Sequence, residues 1–125
     1  MGYLSLLIEK KLLSTGTYNV KVGNGGKGGD AVVNSGRENA TNGFNSVFDV
    51  YEAIGGGRGA CVGKDKCANG GSGGGGTRAN IAGSGVSGQG FNGGNGVPFT
   101  AVPYTSGGGG GAGGPGINAT ASRGG

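Results

Sequence analysis

The sequence has few side chains that could carry out acid–base or nucleophilic chemistry. It has no histidine, so it lacks both the usual general base and the means to form a Ser-His-Asp triad. Its six carboxylates are not paired in a way that suits shared acid–base work. Asp49 and Glu52 are predicted to lie on opposite faces of one strand. We therefore expect no enzyme activity.

The two cysteines, Cys61 and Cys67, are six positions apart with Gly63 between them. A disulfide closing this tight loop would suit an oxidising compartment, and we predict that bond. The alternative is two free thiols, as in a reducing cytoplasm. Two sulfurs without a histidine supply at best half of a zinc site, so no metal is expected.

Two glycine-containing stretches resemble nucleotide-binding motifs but lack the required context. Residues 23–28 fit G-x-G-x-x-G, yet the glycine-broken stretch after them is too short for the helix that a dinucleotide fold needs. Residues 59–64 fail as a phosphate-binding loop. Arg58 occupies the position of the first glycine, and Asp65 occupies the position of the magnesium-binding Ser or Thr. No cofactor is expected.

The composition lies outside the ordinary globular range. Of 125 residues, 37 are glycine, and only 33% are hydrophobic, so one domain with a thin conventional core is expected. The net charge is +4, but the basic residues form no stripe among aromatics, which argues against nucleic-acid binding. No apolar run is long enough to insert into a membrane, and the N-terminus has no recognisable signal peptide.

Three stretches predict β-strands. Residues 18–22 alternate apolar and polar side chains, and with residues 3–8 they suggest a β-hairpin over residues 3–22. One or two helical turns over residues 4–13 are the alternative. Residues 46–54 are rich in β-branched and aromatic side chains and predict a third strand.

Most of the remaining sequence has glycines three positions apart, and three is the period of the polyproline-II helix. One glycine per turn gives each helix a bare face against which another backbone can pack. We predict a non-helical single domain over residues 1–125, with a hairpin-like segment at 1–22 and a bundle of polyproline-II or polyglycine-II helices at 23–125. A flexible glycine linker is the alternative. The predicted central glycine helix consists of Gly107, Gly108, Gly109, Gly110 and Gly111, with residues 73–76 as a second candidate.

A tandem repeat, VPFTA followed by VPYTS, occupies residues 97–106. Its prolines fix φ near the polyproline-II value. Its aromatic residues, Phe99 and Tyr104, recur five positions apart. They predict either an exposed loop that contacts a partner or rings that pack back on the glycine bundle.

The succession TYNVKVGNGGKGG, NSVFDVYEAIGGG, NGGSGGGG, GVSGQGFNGGNG and GGGGGAGGPG resembles the glycine-rich domain of bacteriophage tail-fibre and tail-tip adhesin proteins and of some bacterial surface proteins. The resemblance covers residues 17–116. It implies packed polyglycine-II helices whose joining loops, at 30–45, 58–69 and 97–106, touch a host receptor. Candidate contact residues, for a receptor or for another subunit, are Arg58, Lys64, Lys66, Phe99 and Tyr104.

The resulting expectation is a structural or adhesive module, extracellular or on a virion, that binds a cell-surface glycan or an outer-membrane protein. The alternative is a subunit that associates with copies of itself into a homo-oligomer or filament. An ice-binding protein is a weaker third reading, since no run of Thr or Ala forms a flat array.

Overall fold

The computed structural model describes residues 13–29, 40–59, 67–78, 81–98 and 105–125. Within these ranges the chain forms no helix, which confirms the non-helical prediction. Its regular structure is one small antiparallel sheet of three strands in the order β1-β2-β3. The strands are β1 at Val20–Lys21, β2 at Ser46–Phe48 and β3 at Tyr51–Ala53.

Aromatic and β-branched side chains meet on one face of the sheet. Phe48 lies opposite both Val20 and Tyr51 in the strand register. The ring of Tyr18 stacks on that of Phe48, with centroids 5.5 Å apart. Such cross-strand pairs stabilise sheets, which explains why strands this short form at these residues.

The prediction of a single strand over residues 46–54 is wrong, because the chain reverses at Asp49 and Val50 between β2 and β3. Asp49 adopts φ 54°, a left-handed conformation that aspartate tolerates better than most residues. The first arm of the predicted hairpin over 3–22 lies outside the described residues, and its second arm forms β1, which pairs with β2.

The interior of the molecule consists mainly of glycine. Nine described residues are buried, and the hydrophobic ones among them are Cys67 and Val97. The other seven are Gly70, Gly71, Gly73, Gly74, Gly76, Gly83 and Gly94. Backbone therefore fills the space that apolar side chains occupy in an ordinary core.

Backbone hydrogen bonds join the glycine-rich segments at intervals of three residues. The N–H groups of residues 73 and 76 donate to the carbonyls of residues 91 and 94, at 3.0 and 2.9 Å. The N–H groups of residues 91, 94 and 97 donate in turn to the carbonyls of residues 111, 108 and 105. The first pair of segments is therefore parallel and the second antiparallel, with the same three-residue step.

Residues 73–76, the central segment, touch a different neighbour at each successive position. A Cβ built at Gly73, Gly74 or Gly75 would lie within 3.0 Å of a backbone oxygen. Those oxygens belong, respectively, to Gly83, Arg58 and Gly107, which lie on three separate segments. A side chain at any of these three positions would therefore collide with a neighbouring backbone.

The need for glycine here is steric and not conformational. Among the described glycines a positive φ occurs only at Gly88, in the turn at residues 87–89. The others adopt φ values open to any residue, so close approach explains the glycines of the interior.

The predicted central helix at residues 107–111 is less covered than the central segment. Gly107, Gly108 and Gly110 are half-buried, while Gly109 and Gly111 are exposed. In the central segment three of the four glycines are buried.

Asparagine side chains extend the backbone network. The Oδ1 atoms of six asparagines accept hydrogen bonds from backbone N–H groups of neighbouring segments: Asn42, Asn45, Asn69, Asn92, Asn95 and Asn118. An amide side chain can supply an acceptor where the neighbouring backbone carbonyl points elsewhere. These side chains thus accept hydrogen bonds from backbone N–H groups that do not donate to a backbone carbonyl.

Gly73→Ala should destabilise the fold by about 1–3 kcal/mol, because its methyl group would overlap the Gly83 carbonyl and neither backbone can move freely. Urea unfolding monitored by tyrosine fluorescence measures the change. Gly113→Ala is the matched control, because nothing lies within 4 Å of its Cβ position, and it should not destabilise the fold. Equal effects of the two substitutions would contradict the steric account.

Asn42→Ala should cost about 1–2 kcal/mol, because it leaves the Arg58 N–H and the Asn69 carbonyl without their amide partner. Asn24→Ala is the control, since the exposed Asn24 side chain makes no hydrogen bond with the described residues. The unfolding midpoint of this variant should equal that of the natural chain. A similar midpoint for both variants would show that asparagine side chains contribute little.

Candidate functional site

The three predicted contact loops, at 30–45, 58–69 and 97–106, each have backbone hydrogen bonds at or near their ends, and these paired residues are called here the loop flanks. Thr41 N–H donates to the Lys27 carbonyl at 3.1 Å, on either side of residues 30–39. Ala68 N–H donates to the Arg58 carbonyl at 3.0 Å, on either side of residues 60–66. The same relation holds between residues 97 and 105, at 3.3 Å, around residues 99–104. In each case the two hydrogen-bonded residues lie close together in the described fold.

These three places are also joined to one another. The Asn42 amide links the first two, because it accepts from Arg58 N–H at 3.0 Å and donates to the Asn69 carbonyl at 2.8 Å. Ser106 Oγ donates to Thr77 Oγ1 at 2.9 Å and so connects the third place to the end of the central segment.

Cys67, next to Ala68, connects the second of these places to the segment that begins at residue 81. Its thiol contacts the carbonyl oxygen of Ile81, which lies just after residues 79–80. The flanks of all three predicted loops therefore lie at one end of the domain, called here the loop-bearing end.

The opposite end is made of tight turns. The chain reverses at residues 49–50 between β2 and β3, and again at 86–90, where two N–H groups donate to the Val86 carbonyl. A third reversal at 111–114 is closed by the Gly111 N–H bonded to the Gly114 carbonyl at 3.0 Å. The described reversals at this end are thus short turns within a few residues of sequence.

Of the predicted contact residues, Arg58 is the one within the described ranges. It is half-buried, and its backbone is bonded on both sides, to the Asn42 amide and to Ala68. The other four, Lys64, Lys66, Phe99 and Tyr104, lie outside the described residues, so their role stays a prediction.

The structure describes one of the two cysteines of the predicted disulfide. Cys67 is buried, with 8% of its surface exposed, at the loop-bearing end. Its predicted partner Cys61 lies outside the described residues, and the bond stays a prediction.

Asparagine residues at the loop-bearing end were missed by the sequence reasoning. Asn42 and Asn69 each stand directly before a glycine, and the same Asn-Gly pair recurs at residues 92 and 95. That recurring pair was the available signal, because it places an amide oxygen next to a residue that lets a neighbouring backbone come close.

The arrangement supplies backbone and amide groups that hold chain segments in place. Within the described ranges, no three His, Cys, Asp or Glu residues lie close enough to hold a metal ion. The described residues also include no helix long and apolar enough to cross a membrane.

Comparisons with known proteins identify the family. A family model described as a glycine-rich domain matches residues 2–125. No curated protein and no solved structure matches the chain. The match extends over almost the whole sequence, and the chain belongs to this glycine-rich domain family.

Proposed function

We propose that the chain is a non-enzymatic scaffold that presents loops to a receptor on a cell surface, as part of a virion tail or an extracellular adhesin. The observation that carries the proposal is the convergence of the three loop flanks at the loop-bearing end. Loops held close together by a rigid framework form one contact surface, as in other recognition modules.

The framework itself is proposed to be a bundle of polyglycine-II-type helices. Support comes from the three-residue step of the hydrogen bonds and from the three neighbours met by consecutive glycines of the central segment. A helix with three residues per turn points successive residues in three directions, which accounts for both features.

The proposed partner is a surface saccharide or an outer-membrane protein. The predicted loops carry Lys64, Lys66, Phe99 and Tyr104, which combine positive charge with aromatic rings. Aromatic rings are enriched at interface hot spots, and lysines suit a negatively charged bacterial surface. No cofactor is required for such binding.

A second candidate function is that of a self-assembling fibre subunit. It is favoured by residues 24–29, a glycine-rich segment at the edge of the fold whose residues are all exposed. Exposed backbone at an edge offers donors and acceptors to another chain.

Removing loop side chains should abolish binding to cells. The natural chain, labelled with a fluorophore, is expected to bind a subset of a panel of bacterial strains in flow cytometry. Phe99→Ala with Tyr104→Ala, and separately Lys64→Ala with Lys66→Ala, should each reduce bound fluorescence by about tenfold or more. Periodate treatment of the cells removes binding if the receptor is a glycan, and protease treatment removes it if the receptor is a protein.

Val50→Ala is the matched control for this experiment. Val50 is 79% exposed and lies in the turn between β2 and β3, at the opposite end from the loop flanks. Its replacement should leave binding unchanged. Failure of the natural chain to bind any strain, or equal loss in the Val50 variant, would overturn the proposed function.

A further inference from the structure

A groove of about 470 Å³ runs along one side of the central segment. Its floor is formed by residues 72–75, and its walls by residues 56–57 and 59 on one side and 106–107 and 109–110 on the other. Among the described residues, the lining is glycine apart from Ser72, Thr77 and Ser106. This lateral groove is therefore bounded almost entirely by backbone.

The lateral groove is a gap in the ring of segments around residues 72–76. Five segments already form hydrogen bonds to these residues. Residues 54–59 bond to Ser72, and residues 67–70 and 81–86 bond to Gly74. Residues 89–98 and residues 105–111 each bond to both Gly73 and Gly76. About six rods of equal width fit around one, and segments with three residues per turn have similar widths. The lateral groove lies between two of the five neighbours, so it has the place of a missing sixth.

Backbone groups at the lateral groove are available for a partner. Between described residues, neither the N–H nor the carbonyl of Gly75 or Gly109 makes a hydrogen bond, although the neighbouring glycines of both segments do. An incoming backbone could use these donors and acceptors at the same three-residue step as the bonds inside the fold.

Two glycines on the wall of the lateral groove lack a reason within the chain. Nothing lies within 4 Å of the Cβ positions of Gly56 and Gly59, and neither residue has a positive φ. Replacing such a glycine by alanine would stabilise a lone chain by about 0.4–1 kcal/mol, since it reduces the freedom of the unfolded state. Close approach of another backbone to this wall would explain why both positions are glycine.

We infer that the lateral groove binds residues 24–29 of a second copy of this chain. These residues are exposed, and their backbone hydrogen bonds to other described residues go to residues 41 and 44. On the segment, Gly25 and Gly28 are three positions apart, and nothing lies within 4 Å of either Cβ position. The segment thus presents a second bare glycine row that matches the one at Gly56 and Gly59.

The contact is heterologous, because the lateral groove and the edge segment at 24–29 are different surfaces of the chain. Each copy can offer its edge segment to one neighbour and its groove to another. Such a contact builds an open chain of subunits or a closed ring, and not a simple two-fold dimer. It does not depend on receptor binding by the loops.

Sedimentation velocity over a wide range of protein concentration tests this contact with two double variants. The groove variant carries Gly56→Ala and Gly59→Ala, and the edge variant carries Gly25→Ala and Gly28→Ala. All four methyl groups point into open space in the single chain, so both variants should unfold at least as late as the natural chain at low concentration. Gly113→Ala, also unobstructed, is the control and should associate like the natural chain.

The natural chain is expected to form species larger than a dimer, while each double variant alone stays monomeric. An equimolar mixture of the two variants should form a one-to-one heterodimer and nothing larger, because one intact groove meets one intact edge segment. A natural chain that stays monomeric at its highest soluble concentration would overturn the inference. So would a groove variant that associates as well as the natural chain, or a mixture that stays monomeric.

Discussion

Two backbones can pack side by side at full hydrogen-bonding distance only where no Cβ atom stands between them. In this molecule the buried glycines obey that constraint: a methyl group at Gly73, Gly74 or Gly83 would fall within 3.0 Å of a neighbouring carbonyl oxygen. The rest of the structure depends on it, because the close packing brings N–H and carbonyl groups of different segments within reach. Backbone hydrogen bonds and dense contacts thus replace the side-chain packing of an ordinary core.

This construction limits how the fold can be stabilised. Glycine loses more conformational freedom on folding than any other residue, so ordering each one costs about 1–2 kcal/mol of backbone entropy. The buried side chains of Cys67 and Val97 bury little apolar surface in return. Stability must come from many bonds made together, including the asparagine amides that satisfy backbone donors. The small sheet adds the stacked rings of Tyr18 and Phe48.

The sequence was sufficient to predict the absence of helices from the described residues, the strand at Val20–Lys21 and the importance of glycines three positions apart. The sequence was misleading at residues 46–54, because strand-forming side chains stand on both sides of Asp49. The structure has a turn there, and that turn depends on Asp49 adopting a left-handed conformation. The sequence also could not rank residues 73–76 against 107–111. Both are glycine runs, and burial depends on which segments surround each one, a long-range property that local pattern does not encode. The alignment of the loop flanks at one end was likewise invisible, because it follows from segment directions set by hydrogen bonds.

Amide hydrogen exchange, followed by NMR, tests most directly whether glycine backbone forms the interior. The account predicts slow exchange at Gly73, Gly76, Gly107 and Gly110, whose N–H groups donate to other segments, and fast exchange at Gly25 and Gly28 in the single chain. Protection confined to the sheet at Val20–Lys21, Ser46–Phe48 and Tyr51–Ala53, with exchange at every glycine as fast as in an unfolded peptide, would contradict it.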